Sequence, residues 1–245
     1  SSSAASDVYK RQQQDPATTR TAALRWQVDP AVALRASAGS VLRLPTFTEL
    51  YYEDPANRGD PHLQPEHGWA WDLGATVASG PWTLDWSVFE RHEKDLIDWV
   101  RPASLPTQPW LARNVAKGRV RGWTQSYGLT TPRGDVLALH HTIFEAERSL
   151  PPGDVAKYAM LVPRHLLAAS ATIPVERGVT LGVQARHRSR AGDRGHVIVD
   201  LRTTLTRGDW SLSADLVNAF DREYQEIPGV PLPGRLVAAT CAHAF

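Results

Sequence analysis

The sequence predicts an all-β fold, an antiparallel transmembrane β-barrel, and three observations carry that expectation. Apolar and polar residues alternate with a period of two in segment after segment, while helical periodicity is scarce. Tight turns and long polar connections follow one another in alternation. Tryptophans gather near the ends of the alternating segments, where an indole ring can lie in lipid and its N–H can reach water.

Alternation matters because successive side chains of a strand point to opposite faces. In Gly68 to Ser79 one face reads Trp69, Trp71, Leu73, Ala75 and Val77, and the other Gly68, Ala70, Asp72, Gly74 and Thr76. Ala22, Leu24, Trp26 and Val28 oppose Thr21, Ala23, Arg25 and Gln27, and Trp82, Leu84, Trp86 and Val88 oppose Thr83, Asp85 and Ser87. Three later segments repeat the pattern around Leu181, Leu201 and Leu212. One face suits lipid and the other a polar lumen.

Turn signals sit at Asp29-Pro30, Ser79 to Pro81, Pro132 to Asp135, Glu176 to Gly178 and Arg207 to Asp209. Longer polar connections are expected at residues 43–66, 102–112, 150–161, 191–195 and 222–235. About eleven strands result: 18–29, 31–42, 67–79, 82–100, 113–131, 136–149, 162–175, 179–190, 196–207, 210–221 and 236–245. Segment 136–149 has the weakest pattern, because His141 and Glu145 share a face with Leu137, Leu139 and Ile143. Bacterial single-chain barrels carry even strand numbers, so an odd count implies part of a barrel. A soluble β-sandwich also alternates, but segment 82–100 exceeds the usual 3–10 residues of a globular strand.

Composition narrows the function classes. The 245 residues carry 27 basic and 26 acidic side chains, a net charge of +1, which gives no reason to expect nucleic acid. The single cysteine, Cys241, excludes an intrachain disulfide. Apolar runs fall short of the roughly 18 residues of a spanning helix, so a membrane-bound chain must cross as strands. Residues 1–13 are polar and lack an apolar core, so they are not a signal peptide. They resemble a translated assembly scar, and residues 14–245 are taken as the barrel unit.

Several motifs then point to one family. Arg43 to Tyr51 (RLPTFTELY), with Pro45 and Glu49, resembles the R-x-P-x-F-x-E-L-Y stretch of TonB-dependent receptors. Asp60 to Glu66 (DPHLQPE), ending in Pro65 and Glu66, is similar to their G-N-P-x-L-K/Q-P-E motif, with Asp60 in place of Asn. Asp95 to Val100 followed by Asn114 to Gly122 resembles D-L-I-x-W/Y and N-x-x-K-A-R-I-x-G-x-E, although the final Glu is absent. Asp215 to Asp221, with Asn218, Phe220, Asp221 and Tyr224, resembles N-L-F-D-x-x-Y, and Pro233-Gly234-Arg235 resembles the P-G-R before the last strand. Phe245 fits the terminal barrel-assembly signal. The resemblance covers about residues 40–245, and the Asp95–Gly122 spacing looks most like the cobalamin branch, with siderophore receptors close behind.

The resemblance implies a 22-stranded outer-membrane barrel closed by an N-terminal plug. It also implies cobalamin or a ferric siderophore as ligand, outer-membrane lipid around the wall, and energy from a TonB–ExbB–ExbD complex. The stretch read here contains neither plug nor TonB box.

Tyr51, Tyr52, Arg58 and Trp110 lie in the expected long connections and are candidates for ligand contact. Arg186, Arg188 and Arg190 share one face of a strand near its far end, a positive wall for an anionic ligand or a set of ion-pair partners. His140 and His141 are adjacent and point to opposite faces, so no metal site is expected there. No catalytic motif is present, and neither enzyme activity nor a cofactor is expected.

Overall fold

The computed structural model describes residues 18–158, 162–176, 178–190, 193–227 and 229–244. Residues 1–13 and Phe245 lie outside the described residues. Eleven strands form one antiparallel path: β1 (Thr21–Gln27), β2 (Val32–Arg43), β5 (Glu66–Ser79), β6 (Trp82–Pro102), β7 (Trp110–Thr130), β8 (Val136–Ser149), β10 (His165–Glu176), β11 (Val179–Arg190), β12 (Asp193–Arg207), β13 (Trp210–Val217) and β16 (Leu236–His243). Each pairs with the next, and β1 and β16, at the two ends of the path, do not pair with each other. The other elements are short: helix α1 (Phe47–Tyr51), β3 (Glu53–Asp54), β4 (Asn57–Arg58), β9 (Asp154–Ala156), β14 (Gln225–Ile227) and β15 (Val230–Pro231).

Register fixes the faces, because directly opposed residues of an antiparallel pair share a face. Trp26 faces Leu34, Leu34 faces Ala75, and Ala75 faces Trp86. The row therefore joins the apolar residues of β1, β2, β5 and β6. These side chains are exposed, with Leu24, Trp26, Leu73, Trp82 and Leu84 among them. A face this apolar and this open requires a non-aqueous neighbour. No helix among the described residues is long and apolar enough to cross a membrane.

The outward face changes character along its height. Trp82 starts β6 at a tight turn, and Leu84, Trp86 and Val88 follow. Glu90 then lies opposite Trp71 and His92 opposite Trp69, with the Trp69 and His92 rings stacked at 4.3 Å. Glu90 is cross-strand from Arg121, and Arg121 from Glu145. From Trp82 to Glu90 is about 26 Å along a strand, which strand tilt reduces to an apolar band of roughly the height a barrel presents to lipid. Trp69 and Trp71 mark its upper rim, and Trp26, Trp82 and Trp210 its lower one.

The inner face carries paired charges. Arg35 on β2 reaches Asp85 on β6 at 2.6 Å and Thr76 at 3.3 Å. Arg186 meets Asp200 at 2.6 Å, and Arg202 meets Asp215 at 2.5 Å.

Three expectations from the sequence need correction. Trp110 opens strand β7 instead of lying in a loop, because β6 and β7 run past the sheet as a long hairpin. The connection expected at 191–195 is shorter, since β11 runs to Arg190 and β12 starts at Asp193. The strand expected over 210–221 stops at Val217, where Asn218 turns into the left-handed region with φ 50.

Candidate functional site

The long connections all leave the same end of the wall, and four of them build a cap and a cleft. The cap starts at Thr46-Phe-Thr-Glu49, which forms a capping box. The Thr46 hydroxyl accepts the Glu49 N–H at 3.2 Å, and the Glu49 carboxylate accepts the Thr46 N–H at 2.7 Å. This starts α1 and aims Leu50 at the β6–β7 hairpin. Leu50 packs there with Leu63, Trp99 and Ala112, flanked by Ile97 and Trp110.

Polar bonds hold this small core in place. Arg43 at the end of β2 forks between Glu66 and Glu49, with Nε to Glu66 at 2.7 Å and Nη1 to Glu49 at 3.0 Å. Glu66 also accepts the Ile97 N–H at 2.7 Å. Burial works against the Glu49 charge, but the bonds from Arg43 and the Thr46 N–H outweigh it and hold the carboxyl below its ordinary range. Asn114 exchanges two 2.8 Å hydrogen bonds with the Gln64 backbone and donates to the Asp95 carbonyl at 2.7 Å. Asp95 itself sits at φ 57, at the bulge where β6 leaves β5.

Neighbouring loops then cross the hairpin. β4 adds parallel to β7, with Asn57 opposite Trp110 and Arg58 opposite Leu111. β9 adds to β6 through Val100 and Ala156. Lys157 donates to the Asn57 side chain at 3.0 Å, joining loops 100 positions apart. The Arg101 guanidinium lies 4.1 Å from the Trp110 ring.

On the open side of α1, Tyr51 and Phe47 form an exposed ring pair at 5.0 Å. Tyr52 donates its hydroxyl to Asp54 at 2.9 Å, and that bond raises the phenol's pKa and lowers that of Asp54. Arg58 is exposed, 3.9 Å from Glu53. Pro45 is buried at the start of the cap, and Pro65 is half-buried at its end.

The cleft, of about 270 Å³, opens on the inner face of β8, β10, β11 and β12. His140, Thr142, Arg186, Arg188, His196 and Ile198 line it from the wall, and Tyr224 and Glu226 from the β13–β16 connection. The Tyr224 ring lies 4.8 Å from His196, and Glu226 meets Arg188 at 3.1 Å. Arg190 is on the same face, with a bulge separating it from Arg188. His140 contacts Ser126 inside, while His141 contacts His165 outside at 3.4 Å, and no group of three or more metal-ligating side chains occurs among the described residues.

The connection that carries Tyr224 is fixed at its roots. Asn218, 1% exposed, bonds the Arg222 backbone twice at 2.9 Å and gives its N–H to Asp200. Asp221, at φ 53, accepts the Arg235 N–H at 2.7 Å. A Cβ on Gly234 would come within 2.6 Å of that carboxylate, so a larger residue there would have to displace Asp221 from its bond to Arg235. Phe220 is exposed.

The structure thus places Tyr51, Tyr52, Arg58 and Trp110 in the cap and Arg186, Arg188 and Arg190 beside the cleft, two groups that share one end of the wall. Glu49, Glu66, Asn114, Asn218, Asp221 and Gly234 hold the loops in shape. Sequence reasoning missed α1, although Thr46-Phe-Thr-Glu49 carries the capping-box signature. It also missed Glu226, for which a polar connection without periodicity offers no signal.

Comparison with known proteins agrees with this architecture. Residues 2–219 match the family model described as TonB dependent receptor-like, beta-barrel. A stretch of 112 residues is 28% identical to the vitamin B12 transporter BtuB of Photobacterium profundum, covering 44% of this chain and 18% of that protein. The fold superposes on the copper transporter OprC with a TM-score of 0.71 at 17% identity, over 92% of this chain and 39% of that one. It superposes on the ferric enterobactin receptor PfeA from Pseudomonas aeruginosa with a TM-score of 0.67 at 17% identity, over 93% and 40%. The chain therefore spans about two fifths of the length of these solved structures.

Proposed function

The chain belongs to the TonB dependent receptor-like β-barrel family, and from that premise we propose that it forms part of an outer-membrane receptor for the energy-coupled uptake of cobalamin or a ferric siderophore. The family is one of transport receptors. The observation that carries this reading is the asymmetry of the wall. Its lower connections are tight turns, whereas its upper connections fold into a packed cap and a charged cleft. Elaborated loops on a rigid scaffold are where binding residues concentrate.

On this reading Tyr51, Tyr52 and Trp110 offer aromatic surface, and Arg58, Arg186, Arg188 and Arg190 offer positive charge to an incoming ligand. The outward apolar band contacts outer-membrane lipid. TonB–ExbB–ExbD supplies the energy through parts of the receptor outside this stretch.

The test is growth of a strain stripped of its own cobalamin and siderophore receptors, carrying the full-length gene. Growth on limiting cobalamin, or with a ferric siderophore as iron source, that disappears on deletion of TonB supports the proposal. Growth that persists without TonB identifies a passive pore instead.

A further inference from the structure

We infer that the β13–β16 connection is a latch, in which Glu226 occupies an anion subsite at Arg188 until an anionic oxygen group of the ligand displaces it. This rests on the receptor reading and adds to it a regulation of the upper lumen.

Four features of the cleft converge. Its wall is cationic through Arg186, Arg188 and Arg190, and the carboxylate built into that wall is already committed. Asp200 holds Arg186 at 2.6 Å and accepts the Asn218 N–H at 2.8 Å. Arg188 instead takes its partner from the loop. That contact is weak in kind: Nη1 approaches the carboxylate at 3.1 Å, and the Glu226 side chain is 52% exposed.

Arg188 also keeps unused capacity. Its Nε, and Nη2 of Arg190, are buried without a hydrogen-bond partner among the described residues. A guanidinium presents five N–H donors in a fork that suits two oxygens at once, so a carboxylate or phosphate entering from the lumen can satisfy more of it than Glu226 does.

The loop is built to release. Its roots are pinned at Asn218 and at Asp221 to Arg235, whereas its tip, the β14–β15 hairpin, pairs with no other strand among the described residues. A cleft of about 270 Å³ accepts an anionic portion of a ligand, not a whole large one.

The experiment is calorimetric titration of the full-length protein, purified in detergent, with citrate and separately with inorganic phosphate at matched ionic strength. Glu226→Gln should bind the anion up to about fivefold more tightly than wild type, because an exposed competing ion pair is removed. Glu223→Gln makes the same charge change nearby and should not reproduce the gain. Arg188→Gln should abolish binding and Arg188→Lys, which keeps the charge without the fork, should weaken it. Anion binding that is undetectable, indifferent to Arg188, or no tighter in Glu226→Gln than in Glu223→Gln overturns the latch. None of these readouts requires TonB, so failure of the growth test and failure of the latch are separable.

Discussion

Replacing Arg43 by Gln should loosen the cap without touching the wall. Arg43 neutralises two carboxylates, Glu66 and Glu49, whose side chains are only 9% and 14% exposed. Removing one partner of a fully buried ion pair costs about 3–5 kcal/mol, because the remaining charge is stranded. The Arg43 side chain is 38% exposed, so water already screens part of its contacts, and the expected cost falls to about 2–3 kcal/mol. That corresponds to a rise of about 30–150-fold in the open population of the cap.

Amide hydrogen exchange of the protein in nanodiscs reads this directly. Residues 46–66 should exchange faster by that factor, and the strands β10 to β13 should be unchanged. Adding Glu66→Gln should recover about half of the loss, since it removes one stranded charge and leaves an oxygen for the Ile97 N–H. Unaltered exchange in Arg43→Gln, or further loosening in the double variant, would refute the reasoning.

Other perturbations follow from the same geometry. The Glu49 carboxyl titrates below its ordinary 4.5, so its contribution to the cap is complete above that pH and disappears as pH falls through the lowered value. Limited proteolysis of the 44–65 loop should therefore accelerate on acidification, and Glu49→Gln should flatten that dependence. Leu50→Ala removes the helix side chain from its cluster with Leu63, Trp99 and Ala112 and should cost the cap about 2 kcal/mol, measured by the same proteolysis at neutral pH. Asn218→Ala loses both bonds to the Arg222 backbone and forces a Cβ-bearing residue without a local partner to φ 50; urea unfolding should register about 2–3 kcal/mol, and Asn218→Gly should recover only the backbone share.

The wall was legible in the sequence because one physical constraint governs every strand. Trp69, Trp71, Leu73, Ala75 and Val77 must share a face if lipid lies on one side, and a slip of one residue would invert them all. Even His141, which blurs the pattern of β8, lies where alternation puts it, with its ring against His165 on the outward face. The cap was less legible because no periodicity organises it. Leu50, Leu63, Trp99 and Ala112 come from three segments, and only the fold brings them together. The β6–β7 hairpin likewise outruns the sheet because β4 and β9, which have no strand-like pattern, satisfy its edges. The motif residues carried the family resemblance without showing what they do: Glu66 binds Arg43 and Ile97, and Asn218 folds its own turn. For the arginines of β11, alternation placed them on the inner face, but the loop carboxylate that meets Arg188 has no signature of its own.

The most direct test of the central claim, that these strands form a lipid-facing barrel wall, is parity of access in a bilayer. After replacing Cys241 by Ser, single cysteines are placed at Leu73 and Leu201 on the outward face and at Thr204 and Ser213 on the inward face, labelled with a fluorophore and reconstituted. Quenching by lipids brominated in their acyl chains should be strong at Leu73 and Leu201 and absent at Thr204 and Ser213. Equal quenching at all four positions, or quenching confined to the inward pair, would contradict the assignment of the wall.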